Sequence, residues 1–128
     1  MARALSRFHD TRIEPLLRAY FGQVAPAKRN ADLVAGNAAL LQRRFHQLAE
    51  IQTPSPLLTG TNLSLADCSF APSFAILDCL QGLLGFDLIL PASIKTYQAA
   101  LCAHPSVRDE YVAYVMALDE WAAAKMAD

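Results

Sequence analysis

The side chains best suited to acid–base or nucleophilic chemistry in this 128-residue chain are three histidines, three cysteines and a Ser-Asp pair. The pair, Ser64 and Asp67, stands at the start of an almost wholly apolar stretch from Ala66 to about Leu84. A hydroxyl beside a carboxylate invites a catalytic interpretation. The same spacing also begins helices, where the serine caps backbone N–H groups and the acid complements the helix dipole. We therefore interpret both residues as structural.

The cysteines and histidines show no pattern that indicates a metal site or a disulfide framework. The cysteines are odd in number and lack CxxC spacing: Cys68, Cys79 and Cys102. We expect them to be buried, reduced thiols of a cytosolic protein. The histidines lack the spacing of metal ligands: His9, His46 and His104. The sequence therefore predicts no bound metal.

Composition and charge narrow the class of protein. Hydrophobic residues make up 54% of the chain, charged residues 18%, and the net charge is −1. The scattered lysines and arginines do not form the basic patch typical of a nucleic-acid binder. No uncharged apolar run long enough for a membrane span is present, and the first residues lack the apolar core of a signal peptide. We expect one cytoplasmic domain over residues 1–128 with no membrane or nucleic-acid partner.

Apolar residues recur at three- and four-residue steps, and no stretch alternates as a β-strand does. The sequence thus predicts an all-α, five-helix bundle with the apolar third helix at its centre. The predicted helices run from 2 to about 24 with a bend at Pro15, from Asn30 or Asp32 to about Gln52, from 66 to about 84, from Pro91 through Ala103, and onward from Val107. Tyr111, Tyr114 and Trp121 of the last helix have the spacing of a core-facing stripe.

Two motifs in this order of helices resemble the C-terminal all-helical domain of glutathione S-transferases. The segment Leu58–Asp67, LTGTNLSLAD, matches the family pattern hydrophobic-x-G-x-x-hydrophobic-S/T-hydrophobic-A-D. The segment His104–Val107, HPSV, matches the x-P-x-V that opens a late helix. The resemblance spans essentially the whole chain. It implies the five-helix bundle of that domain type.

In the family a preceding thioredoxin-like domain binds glutathione and supplies the Tyr, Ser or Cys that activates its thiol. That domain is absent from this chain, so we expect residues 1–128 alone to be catalytically silent. The resemblance implies the C-terminal half of a homodimeric transferase for conjugation, reduction or isomerisation with glutathione as co-substrate. This half would form the hydrophobic-substrate side of the cleft and part of the dimer interface. The alternative is a non-catalytic interaction module, as in translation assemblies.

The resemblance also implies candidate glutathione contacts on the first helix. We matched Pro15–Arg18 to the corresponding proline segment of beta-class bacterial members. This match places the family's cleft-facing His-Lys pair on Asp10 and Thr11, and its glutathione contact from the adjacent subunit near Arg3. At all three positions the residue in this chain differs from the family's residue. The Asp10 carboxylate could still pair with the ammonium group of glutathione, and the Arg3 guanidinium could pair with one of its carboxylates. A solvated helix face is the alternative.

Candidate contacts for a hydrophobic electrophile come from the first and last helices. They are Phe8, His9, Arg12, Tyr111 and Tyr114. Phe8 is most simply a core residue, and His9 is either a second-substrate contact or a satisfied interface histidine. In the family the last helix lines the electrophile pocket, so Tyr111 or Tyr114 would reach it, although core packing is the stronger interpretation for both.

Overall fold

The computed structural model describes residues 1–128 and contains helices but no β-strand. The helices are α1 (Ala2–Phe8), a π-helical turn (His9–Ile13), α2 (Glu14–Ala19), α3 (Ala31–Ile51), α4 (Leu65–Leu84), α5 (Ala92–Ala103) and α6 (Arg108–Met126). The first three segments follow one another without a break and form one rod. The chain therefore has five helical rods. The predicted all-α class and five-helix count are confirmed.

A π-helical turn accommodates Pro15 in the first rod. The backbone N–H of Glu14 donates to the carbonyl of His9, five residues back, instead of the usual four. Proline has no N–H, and its ring clashes with the carbonyl four residues earlier, so the regular helical ladder cannot continue through it. The extra residue in the turn absorbs this conflict. The predicted disturbance at Pro15 thus takes the form of a wider turn just before it.

The first rod ends at Ala19, earlier than the predicted end near Val24. Two short 3₁₀ turns follow, Phe21–Gln23 and Pro26–Lys28. Glycine and the residue before a proline both disfavour the α-helix, and Gly22 and Pro26 stand in this segment. Arg29 holds the turn, because its Nη2 donates to the carbonyl of Val24 at 2.9 Å.

Helix α4 lies at the centre of the bundle, as predicted. It packs against the first rod, α5 and α6, and its Phe74 stacks on Phe45 of α3 with ring centroids 6.2 Å apart. Tyr97 of α5 meets Phe70 and Phe74 edge-on at 6.2 and 5.8 Å. These rings are almost completely removed from solvent. Burial of this size is the main stabilising contribution in a small helical domain.

Asp67 ties the start of α4 to two other parts of the chain. Its carboxylate is 0% exposed and accepts the Ser64 N–H at 2.8 Å and the Ser64 hydroxyl at 3.0 Å, within the predicted capping box. It also accepts the Leu58 N–H at 3.2 Å and the Tyr97 hydroxyl at 2.7 Å. A buried carboxylate is tolerated only when its oxygens are hydrogen-bonded in this way. The structural interpretation of Ser64 and Asp67 has a direct geometric basis.

The last helix differs in part from its prediction, because its apolar stripe is only partly buried, although Trp121 packs against the core. Ala122 is the only buried residue of α6, Tyr111 and Trp121 are half-buried, and Tyr114 is 37% exposed. Helix α6 packs mainly against α4, touches α5, and leaves most of its other residues exposed to solvent. Regular spacing shows which side chains share a face but not how deeply that face is covered.

The prediction of buried thiols is also wrong in part. Cys68 is exposed, and Cys79 and Cys102 are half-buried, all three as free cysteines. Cys68 meets solvent although Ala66 and Asp67 in the same turn of α4 are completely buried. Separately, no helix combines the length and the hydropathy that a bilayer crossing requires.

We predict that Asp67→Ala lowers the free energy of unfolding by about 3 kcal/mol or more, because several buried donors lose their acceptor at about 1–3 kcal/mol each. Ser64→Ala should cost about 0.5–2 kcal/mol, as for other N-caps. Urea unfolding followed by circular dichroism measures both. Asp109→Ala is the matched control, since Asp109 is also an acid in a first helical turn but its side chain is 90% exposed. Equal losses for Asp67 and Asp109 would contradict the buried network.

We also predict that the fold loses stability above about pH 10. Burial raises the pKa of Tyr20 from 10.0 to about 12, and burial together with the Asp67 hydrogen bond raises that of Tyr97. A tyrosine whose pKa is higher in the folded than in the unfolded state stabilises the fold fully below the unfolded-state pKa of 10.0. This stabilisation is lost as the pH rises through the folded-state pKa. The urea midpoint should therefore fall between about pH 10 and 12, less steeply in Tyr97→Phe. A midpoint unchanged throughout that range would contradict it.

Candidate functional site

An apolar groove lies between the N-terminal halves of α4 and α6. Its volume is about 510 Å³, within the range of small-molecule sites. Most of its lining is aliphatic or aromatic, and its residues are Cys68, Ala71, Pro72, Ser106, Val107, Glu110, Tyr111, Ala113 and Tyr114. Groups of this kind offer contact area and a few hydrogen bonds. We refer to this depression and its continuation below as the α4–α6 groove.

Small residues and the entry to α6 explain why a groove exists here. Ala71 of α4 and Ala113 of α6 both line it, and their short side chains fill little of the space between the two helices. The turn before α6 is fixed by the Ser106 N–H, which donates to Nδ1 of His104 at 3.1 Å. Val107, the last residue of the predicted x-P-x-V motif, is the N-cap of α6 and forms one wall.

The groove continues along both helices beyond its largest part. A second depression of about 360 Å³ shares Tyr111 with the first, and a third of about 360 Å³ shares Cys79 and Asp119 with the second. On α4 the lining extends from Cys68 to Leu83, which corresponds to about 22 Å of helix. The three depressions therefore form one elongated surface in which Tyr111 marks the first junction.

The polar groups in the groove are phenols, carboxylates, the Ser106 hydroxyl and the thiols of Cys68 and Cys79. Burial raises the pKa of Tyr111, and it raises that of Cys79, to which the negative charge of Asp119 adds. The Cys79 thiol thus stays protonated at neutral pH, and a protonated thiol is a poor nucleophile. The groove thus offers mainly apolar contact area with a few hydrogen-bonding groups, and Cys68 is its exposed thiol.

The predicted electrophile contacts fall into two separate regions. Tyr111 and Tyr114 both line the α4–α6 groove. Phe8, His9 and Arg12 belong to the first rod and do not line it. Phe8 packs against the core from a half-buried position, whereas Arg12 is exposed. The structure thus brings together two of the five residues.

His9 lies in the π-helical turn and is fully engaged with neighbouring groups. Its Nε2 is 2.6 Å from the Ser73 hydroxyl, and its Nδ1 is 2.8 Å from a carboxylate oxygen of Asp10. A Ser-His-Asp sequence of contacts appears in hydrolases, but here His9 and Ser73 are 5% and 7% exposed and the Phe70 ring packs edge-on against the imidazole at 4.9 Å. The hydroxyl is almost completely removed from solvent. The cluster is a structural one, and Ser73 joins α4 to the first rod.

The predicted glutathione contacts lie on the exposed side of the first rod. Arg3, Asp10 and Thr11 are all solvent-exposed. The Thr11 hydroxyl donates to the Arg7 carbonyl at 2.7 Å, and Asp10 is engaged with His9, while Arg3 makes no side-chain hydrogen bond or ion pair. None of them lines the α4–α6 groove. Across the molecule no three His, Cys, Asp or Glu side chains are grouped as a metal site would require.

Comparison with models of known protein families, with characterised proteins and with solved structures finds no match. The resemblance to glutathione S-transferases therefore depends on the two sequence motifs. In the structure the first motif, Leu58–Asp67, contains the capping box of the central helix. The second, His104–Val107, forms the turn that opens α6 and borders the groove.

We predict that Ser73→Ala lowers the free energy of unfolding by about 1–3 kcal/mol, because the buried Nε2 of His9 loses its partner. Asp10→Ala should cost at most about 1 kcal/mol, since its side chain is 63% exposed. A double-mutant cycle of Ser73→Ala with His9→Leu, read by urea unfolding, should show a coupling of about 1 kcal/mol. A neutral Ser73→Ala, or additive single effects, would contradict the pairing.

Proposed function

We propose that this chain is the helical half of a cytoplasmic, glutathione S-transferase-like protein and supplies the wall that binds a hydrophobic electrophile. The observation that carries the proposal is the apolar groove of about 510 Å³ lined by Tyr111 and Tyr114. Those two residues were expected at the electrophile site from the resemblance. The five-rod all-α architecture and the capped central helix support the same assignment.

The groove suits an electrophile with an aromatic or aliphatic body. Apolar contact with Ala71, Pro72 and Val107 would remove the body from water, and the phenols of Tyr111 and Tyr114 offer hydrogen bonds to a polar substituent. Such a wall raises the local concentration of the electrophile and orients it. Its contribution is to binding and positioning.

Glutathione would be held and activated outside this chain, by a thioredoxin-like domain. A hydrogen bond that lowers the thiol pKa yields the thiolate that attacks the electrophile. In the proposal Arg3, Asp10 and Thr11 of the first rod face this co-substrate, and two copies of the protein form a homodimer. The expected reactions are conjugation, reduction or isomerisation, with no metal.

The second candidate function is a non-catalytic interaction module. Val112 and Met116 lie one helical turn apart on α6, with exposures of 53% and 62%. Exposed apolar side chains on one helix face are a feature of protein-binding surfaces. Neither residue lines the α4–α6 groove, so the two candidate functions use different surfaces and can be tested separately.

We predict that the chain binds the neutral fluorophore N-phenyl-1-naphthylamine in the groove, with an increase in its emission. Ala113→Trp should reduce the affinity about tenfold or more, because an indole fills space that an exposed alanine leaves open. Ala117→Trp is the matched control, an exposed alanine one turn further along α6 that does not line the groove. Equal affinities of the two variants would overturn the groove as the ligand site.

The transferase assignment has its own test, retention on glutathione-agarose of the longest reading-frame product that contains this chain. Retention, with conjugation of 1-chloro-2,4-dinitrobenzene weakened by Ala113→Trp, is the expected result. The chain of 128 residues by itself should show no conjugation. Two results together would favour the interaction module instead. The chain would bind the fluorophore although no longer product is retained on glutathione-agarose, and the variants Val112→Ser and Met116→Ser would lose binding to a protein partner.

A further inference from the structure

The charged side chains that line the α4–α6 groove all have the same sign. Glu110 borders the first depression, and Asp78 and Asp119 border the second. No lysine or arginine lines any part of the groove. The surface is therefore apolar along its floor and negative along its edges, although the net charge of the whole chain is only −1.

None of these three carboxylates is neutralised by a neighbouring cation. The ion pairs of the structure lie elsewhere, at His9–Asp10, Glu14–Arg18 and Arg108–Asp109. Asp78 accepts a hydrogen bond only from the neutral amide of Gln98, at 3.1 Å. Desolvation by the surrounding groups raises the pKa of Asp78, as expected for an acid that no cation stabilises. The negative charge at the groove is thus uncompensated.

The third depression differs, because a cation reaches its far end. Arg29 donates from Nη2 to the sulfur of Met126 at 3.6 Å, and Met126 lines that depression. The negative character is consequently strongest around the junction of the first two depressions, where Tyr111 lies between Glu110 and the two aspartates. Aromatic faces also attract a cation in contact with them.

We propose that the α4–α6 groove prefers apolar ligands that carry a positive charge, such as aryl or alkyl ammonium compounds, over anionic ligands of the same shape. The inference deepens the proposed function and rests on it, because it names the class of compound that the hydrophobic wall accepts. The apolar body lies in the first depression, and the cationic end lies toward Asp78 and Asp119. An anionic end at that position meets like charge with no compensating cation.

The test compares three probes with one fluorophore: diphenylhexatriene, its cationic trimethylammonium derivative and its anionic propionic acid derivative. Fluorescence titration at low ionic strength should give an affinity order of cationic, neutral, anionic, with about tenfold between the first and last. The difference should shrink in high salt, because screening weakens the interaction of partly exposed charges.

The variant Asp119→Asn should reduce the ratio of cationic to anionic affinity about threefold, because it removes one negative charge from the lining of the groove. Glu120→Gln is the matched control, since Glu120 is the adjacent exposed acid of α6 and does not line the groove. A ratio near one in the unmodified chain, or equal effects of the two variants, would overturn the charge preference.

The same probes distinguish failure of the charge preference from failure of the hydrophobic wall. If the three probes bind with equal affinity and Ala113→Trp weakens all of them, the groove binds apolar ligands without the charge preference. If none of the three binds, the hydrophobic wall of the proposed function is itself wrong. Binding of the cationic probe that is insensitive to Ala113→Trp would place its site elsewhere and reject both the charge preference and the hydrophobic wall.

Discussion

One buried carboxylate holds together the parts of the chain that shape this protein. Asp67 accepts hydrogen bonds from the loop before α4, from the cap of α4 and from Tyr97 of α5. Because its charge is removed from water, each of these donors must stay in place for the fold to be stable. The carboxylate therefore fixes where α4 begins and how it is rotated. That rotation determines which residues of α4 enter the core and which face α6.

The ligand surface is a consequence of the two faces of α4. Phe70, Phe74 and Leu77 belong to the core, whereas Cys68 and Pro72 line the groove, and Ala71 belongs to both. Helix α6 packs along α4 and leaves the groove open between them. Core packing and ligand binding thus use largely different residues of one helix. Destabilising the cap would disturb both, while changes on α6 such as Ala113→Trp affect the groove alone.

Local features of the fold could be predicted from the sequence, and long-range pairings could not. The capping of α4 by Ser64 and Asp67 follows from residues three positions apart. The contact of His9 with Ser73 joins residues 64 positions apart, and nothing in either local pattern indicates it. The aromatic stripe of α6 was expected in the core because its residues share one helix face. Helical spacing does not show how deeply that face is covered. Tyr111 and Tyr114 were candidates through the family resemblance, and both line the groove, whereas the acidic residues that line it were not anticipated.

If apolar ligands bind between α4 and α6, they must contact side chains of both helices. The binding site can be located by an NMR titration of the isotopically labelled chain with N-phenyl-1-naphthylamine, followed by intermolecular NOEs. We expect amide shifts concentrated at Ala71, Ala113 and Tyr114, with NOEs from the naphthyl protons to the Tyr111 and Tyr114 rings. Shifts concentrated on the first rod, at residues such as Arg7 and Thr11, with no contact to either tyrosine, would contradict it.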